Sequence, residues 1–194
     1  MTLTSITKLS NRQQIILDAT LELVATQGLL NTSISKISKQ AKSSPGIVYH
    51  YFDSKDEIMH TLYENIFLEM TAYFMENVSL EQPVLERYKA LWLRNYHYHF
   101  NNPAKTVFYE QYKNSSYYTE QQGQKTAEMM SGLMTMAQND INLGLIVNLP
   151  LDVLYTMTLT VALNLAKSHI QMNHSLDEDT LSTIAERVCR GIMT

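Results

Sequence analysis

The chain has 194 residues, 45% of them hydrophobic and 18% charged, a make-up that suits one or two folded domains and excludes a disordered chain. Six glycines and four prolines are too few for the many turns of an all-β fold, and the single Cys189 excludes an internal disulfide framework and fits a reducing compartment. The net charge of −4 hides an asymmetry: residues 1–52 hold five basic and two acidic groups, residues 53–194 hold ten and seventeen, so a polyanion is expected to meet the N-terminal quarter.

The opening stretch, MTLTSITKLS, lacks the apolar core of a signal peptide. Ile16, Ala19, Thr20, Leu23 and Val24 then follow the spacing of one helix face, and Gly28 closes that helix. A short helix is expected next, capped by Thr32 or Ser33, with Ile34, Ile37 and Ala41 on one face. Lys42-Ser43-Ser44 makes a turn. Ser44 followed by Pro45 reads as the N-cap and first position of a third helix, through Gly46-Ile47-Val48-Tyr49-His50-Tyr51-Phe52, and Asp53-Ser54 stops it.

Ser54-Lys55-Asp56-Glu57 is a capping box opening a long helix to about Asn77. Further starts at Ser79, Asn102-Pro103, Thr119, Pro150 and Ser175 predict helices ending near Phe100, Asn114, Leu143-Gly144, Met172 and Arg190. The last carries acids at its start and Arg187 and Arg190 at its end, as the helix dipole favours. The most apolar stretch, Val153 to Ala166, is 14 residues interrupted by three Thr and an Asn, short of the ~18 of a membrane span. The expectation is an all-α chain of about nine helices, soluble and cytoplasmic, with no membrane partner. A seam falls near residue 53, where charge sign and helix length both change.

Two short helices joined by a three-residue turn, after a longer first helix, match a helix-turn-helix. The second helix of such a pair must be short, polar outside and tied to phosphates at its ends. Gly46 removes a side chain at the helix start, so that backbone can approach DNA. Tyr49 and Tyr51 offer phenol hydroxyls, and Lys55 sits at the first turn of the next helix, where ammonium and free amides can both face a phosphate. Outside this setting, tyrosines and a first-turn lysine are ordinary core or surface residues.

IVYHYFDSKDEI resembles the signature of the TetR family of transcriptional regulators: an aliphatic residue and Tyr, then His or Tyr, Phe, Lys and a further aliphatic residue. ILDATLELVATQG is similar to that family's first helix and TSISKISKQAKSSPG to its second helix and turn. The likeness covers about residues 12–67, with the motif at about 32–52. The resemblance implies that Thr32 caps the second helix and touches a phosphate. It implies that Ser43, Ser44 and Pro45 lie in the turn against DNA, that Gly46, Ile47 and His50 face the groove, and that Tyr49, Tyr51 and Lys55 contact the backbone. Val48 and Phe52 match core positions. The family's turn usually has Gly where this chain has Lys42. A Lys with positive φ costs roughly 1 kcal/mol, so Lys42 is expected to gain a phosphate.

Residues 54–194 are too much helix for a DNA reader alone, and residues 1–53 are read as the DNA-binding domain. For the larger part the resemblance implies effector binding among the middle helices and dimerisation through the last two. The residues fit. Leu154, Met157, Thr158, Val161, Ala162 and Leu165 form an apolar stripe with small members, and Leu181, Ile184, Ala185 and Val188 form a second. Ordinary intrachain core is the plainer reading of both. The middle is rich in Met and aromatic residues, which suit an apolar pocket as well as a core; Trp92, Tyr96, Tyr112 and Met130 are the chosen pocket members. Arg87, Arg94 and Lys105 are expected on solvated faces.

His97 and His99 face different sides of a helix, and the one E-x-x-H, Glu57 to His60, is half of what a di-iron bundle needs. No metal or other cofactor and no enzymatic activity is expected. The reading is a homodimeric repressor on a palindromic DNA operator, released by a small apolar or aromatic effector. Its rivals are a helical regulator acting through protein partners, which would have a filled middle, and a helical metal or heme enzyme.

Overall fold

The computed structural model describes residues 9–76 and 78–194. Among them every regular element is an α-helix, apart from one isolated bridge between Ile146 and Met193. The helices are α1 (Asn11–Gln27), α2 (Ile34–Gln40), α3 (Pro45–Tyr51), α4 (Lys55–Met75), α5 (Val84–Asn101), α6 (Pro103–Lys113), α7 (Glu120–Met129), α8 (Ser131–Asn142), α9 (Leu151–Met157), α10 (Leu159–Met172) and α11 (Glu178–Arg190). The all-α expectation holds. Most of the opening decapeptide and the expected terminus of α4 at Asn77 lie outside the described residues.

Two of the nine expected helices are broken. The helix expected from Thr119 to Leu143 breaks at Met130, whose ψ of 2° interrupts the helical run. The one expected from Pro150 to Met172 breaks at Thr158 (φ −116°, ψ −78°), where the threonine hydroxyl donates back to the Leu154 carbonyl at 2.6 Å. Such back-bonding competes with the helix ladder. The Leu159 carbonyl, one residue beyond the break, accepts from Asn95 Nδ2 at 2.6 Å, which ties the start of α10 to α5.

Starts also move. Ser10 and Gln13 form a capping box that begins α1 five residues ahead of its apolar pattern. Pro83 forbids helical backbone before it, so Ser79 to Gln82 closes a separate turn and α5 begins at Val84. Asp177, not Ser175, caps α11, accepting from the Thr180 amide at 2.7 Å.

The chain divides into two units, residues 1–69 with 104–127 and residues 70–103 with 128–194. In the first, α1, α2 and α3 pack on one another; Ile16, Leu17, Val24, Ile37 and Val48 are fully buried. An aromatic stack continues the same unit: Tyr63 of α4 lies 4.1 Å from the Tyr112 ring of α6, with Phe67 and Tyr109 stacked beyond. In the second unit α5 packs on α10 and α11, burying Leu91, Trp92, Ala162, Ala166, Leu181 and Ala185.

Candidate nucleic-acid interface

The geometry of α2, the turn and α3 follows from three local decisions. Ser33 has the extended backbone of an N-cap (φ −117°, ψ 159°), and its hydroxyl accepts from the Lys36 amide. The turn after α2 reverses at Lys42, whose φ of +48° is the left-handed conformation expected there, and the Ser43 amide donates to the Ser38 carbonyl at 2.8 Å. Ser44 then caps α3, accepting from the Ile47 amide at 3.3 Å, with Pro45 at the first helical turn.

These choices leave α3 attached to the core through Val48 and, at its end, Phe52. Lys42, Ser44, Pro45, Gly46, Ile47, Tyr49 and His50 are all exposed; Tyr49 keeps 54% of its surface and Ile47 40%. Tyr51 is half-buried, its ring 4.9 Å from that of His50 in an edge-on pair. Ser43 is half-buried and its hydroxyl has no partner among the described residues. Gly46 has an ordinary negative φ, and a Cβ there would meet nothing closer than the Ser44 hydroxyl at 3.9 Å. Neither backbone strain nor packing inside the chain calls for a glycine.

Thr32 differs from expectation. It is 1% exposed and its hydroxyl donates to the Gly28 carbonyl at 3.0 Å. Ser33, not Thr32, has cap geometry, and Thr32 is a core residue whose hydroxyl is already used inside the fold. Lys55 is also drawn inward: its ammonium donates to the Leu29 carbonyl at 3.4 Å and sits 5.9 Å from the centre of the Tyr117 ring. Desolvation there holds its pKa below the usual lysine value. Lys36 is tied back to Gln27 and the Asn31 carbonyl, at 2.8 and 2.9 Å.

The four chosen pocket residues are not gathered in one unit. Tyr112 belongs to the first, sharing a 2.6 Å hydrogen bond with His60. Trp92, Tyr96 and Met130 belong to the second. Trp92 and Tyr96 stack in parallel at 6.2 Å, and Tyr96 shares a 2.7 Å hydrogen bond with His169. Trp92 is 0% exposed, yet its indole N–H has no partner among the described residues. Arg87, expected on a solvated face, is buried against Asp140 at 2.5 Å, with Tyr88 donating to the same carboxylate at 2.9 Å. An apolar-face argument cannot see this pair, because Asp140 lies 53 positions away.

The stripes read as a dimer surface are mixed. Leu154, Thr158, Ala162, Leu181 and Ala185 are buried inside the chain's own fold, because α10 and α11 spend that side on α5. Leu165, Ile184 and Val188 are half-buried, and Met157 and Val161 are exposed. Met157 and Val161 continue a row with Leu149 and Val153, four residues apart, each 37–40% exposed. Met157 and Val161 of this row stand in the stripe expected from the sequence and Leu149 and Val153 do not, although the four-residue spacing is readable.

Two family models match this chain. That of the bacterial regulatory proteins of the tetR family matches residues 16–62, and that of the tetracyclin repressor-like C-terminal domain matches residues 83–193. The chain belongs to the TetR family of transcriptional regulators. A similar relative is an uncharacterised HTH-type transcriptional regulator of Haemophilus influenzae, 26% identical over 177 residues, covering 91% of this chain and 93% of the relative. A TetR family transcription regulator from Marinobacter aquaeolei shares the fold with a TM-score of 0.87 at 18% identity, covering 94% of this chain and 95% of that one. FadR from Bacillus subtilis, solved in complex with stearoyl-CoA, shares it with a TM-score of 0.72 at 18% identity, over 93% and 97% of the two chains. The tetR-family model spans most of α1, all of α2 and α3 and the start of α4, so the helix-turn-helix lies within it.

Proposed function

We propose that this TetR-family regulator is a homodimeric repressor that leaves a roughly palindromic operator when a small apolar or aromatic ligand binds. The observation that carries the DNA reading is the state of α3. It gives Val48 to the core and turns Gly46, Ile47, Tyr49 and His50 outward, with a glycine that nothing inside the chain requires. Close backbone approach to DNA supplies the missing reason for Gly46. Ser43, Ser44, Pro45, Tyr51, Lys42 and Lys55 are assigned to phosphates around it. Residues 1–53 are taken as the DNA reader and residues 54–194 as the effector-binding and dimerising part.

A seven-residue recognition helix binds weakly alone and is doubled on a two-fold site. The row Leu149, Val153, Met157 and Val161 is assigned to that contact, flanked by Leu165, Ile184 and Val188. A second copy of the same row suits it, since an isologous interface is self-complementary.

For the effector, the charges support an uncharged or largely apolar ligand. Arg87 is paired with Asp140, Arg94 with Glu76, Lys105 with Glu69 and Lys125 with Glu64, so these cations are already neutralised. The unpartnered Trp92 N–H, beside the Tyr96 ring, offers a ligand one donor in an apolar setting. The relative solved with stearoyl-CoA supports an acyl-type ligand as a starting probe. The test is retention of promoter fragments, the neighbouring intergenic one included, with and without apolar ligands. A ligand that binds the DNA-released conformer better lowers DNA affinity by the same coupling energy, typically 1–3 kcal/mol. Ligand-independent retention with every apolar probe would replace the effector reading by one in which protein partners regulate the chain.

A further inference from the structure

Lys55, the cation assigned above to a DNA phosphate, already has partners inside the chain. Its ammonium donates to the Leu29 carbonyl at 3.4 Å and lies over the Tyr117 ring at 5.9 Å. Tyr117 belongs to neither the helix-turn-helix nor α4; it comes from the turn that follows α6. Its ring stacks on Tyr112 at 6.1 Å and meets His60 edge-on at 6.0 Å, and its carbonyl accepts from the Tyr112 hydroxyl at 3.4 Å. Leu29 is held from the same side: its amide donates to Gln111 Oε1 of α6 at 2.8 Å. Both partners of the ammonium are therefore set by α6 and its following turn, within one unit of the fold.

We propose that Tyr117 is a positioning residue for DNA binding, its ring holding the Lys55 ammonium against the Leu29 carbonyl so that the phosphate contact forms only when this hold is given up. The proposal rests on the assignment of Lys55 to a phosphate. An ammonium has one charge to place, and a phosphate competes with the ring and the carbonyl for it. Any ligand or substitution that shifts the Tyr63–Tyr112–Tyr117 stack then alters DNA affinity through a single cation, without touching α3. The sequence carried no signal for this, because Tyr117 sits in a tyrosine-rich turn 62 positions from Lys55.

The test is binding of the full-length protein to a mixed-sequence duplex, where phosphates supply the affinity. Tyr117→Leu keeps bulk and removes the π face; it is expected to tighten binding roughly tenfold for a dimer, given ~2- to 5-fold per subunit for an exposed cation–π contact. Tyr117→Phe keeps the ring and is expected to match the wild type. Tyr117→Trp strengthens the contact and is expected to weaken binding, a pair of opposite shifts that misfolding cannot produce. In a Lys55→Ala background all three differences are expected to vanish. Unchanged or weaker binding by Tyr117→Leu, or a gain that persists without Lys55, overturns the proposal. If Lys55→Ala itself leaves the salt dependence of binding unchanged, the phosphate assignment fails first and takes the proposal with it.

Discussion

Gly46 and Lys55 are the residues on which the DNA reading is most exposed to test. Alanine at Gly46 has room and an ordinary helical backbone, so Gly46→Ala is expected to keep or raise the melting temperature, by up to about 1 kcal/mol of helix propensity, while weakening operator binding. A loss of stability with unchanged DNA affinity would assign the glycine to the fold instead. Lys55→Ala removes one cation per subunit, so the slope of log K against log salt is expected to shallow by roughly 2 for a dimer. At this scale the sequence was informative wherever a backbone rule applied. Lys42 takes the positive φ the turn demands, and Ser44-Pro45 starts α3 as read. Thr32 and Ser33 could not be separated from sequence, since either hydroxyl can cap; only the buried bond from Thr32 to the Gly28 carbonyl decides it.

Among the elements, α5, α9 and α10 set the sharpest contrasts. Ala162 is fully buried against α5, so Ala162→Glu is expected to unfold the chain by leaving a charge without a partner. Val161→Glu, one residue earlier and exposed, is expected to leave the fold intact and to dissociate the dimer. Sedimentation and thermal melting of the two variants separate these outcomes. Dissociation without unfolding by Ala162→Glu would reverse the assignment of faces.

His99 of α5 adds a pH dependence. Burial, helped by the nearby Lys167 charge, lowers its pKa from 6.5 to about 4. The unfolded chain therefore binds the proton more readily. The stability that His99 contributes as a neutral group is complete above about pH 6.5 and is lost as pH falls toward 4, at most about 3 kcal/mol. His99→Gln is expected to flatten denaturant midpoints across that window. Helix existence was legible through apolar spacing and capping pairs, but the breaks at Met130 and Thr158 were not. Asn95, which bonds the Leu159 carbonyl just beyond the Thr158 break, lies 64 positions away, and a local pattern holds no trace of such a partner.

For the whole molecule, the charge asymmetry puts the basic part of the chain where the tetR-family model matches, residues 16–62, and the acidic part where the C-terminal model matches, residues 83–193. The larger part was legible only as helix count, because Met and aromatic residues serve core and pocket alike. Tyr112 proved to be part of a packed aromatic stack, whereas Trp92 is enclosed with an unused donor. Trp92 is the sole tryptophan, so its emission reports on its surroundings directly. An apolar ligand with an acceptor atom is expected to shift that emission, raise the melting temperature and release DNA together.

In the proposed function a pair of α3 helices reads a DNA operator under electrostatic control. Titration of the purified protein onto its neighbouring intergenic fragment and onto a matched random fragment, over a range of salt, tests it most directly. Preferential retention of the intergenic fragment, two protomers per site, and affinity that falls steeply as salt rises are expected. Equal affinity for the two fragments, or binding indifferent to salt, would contradict it.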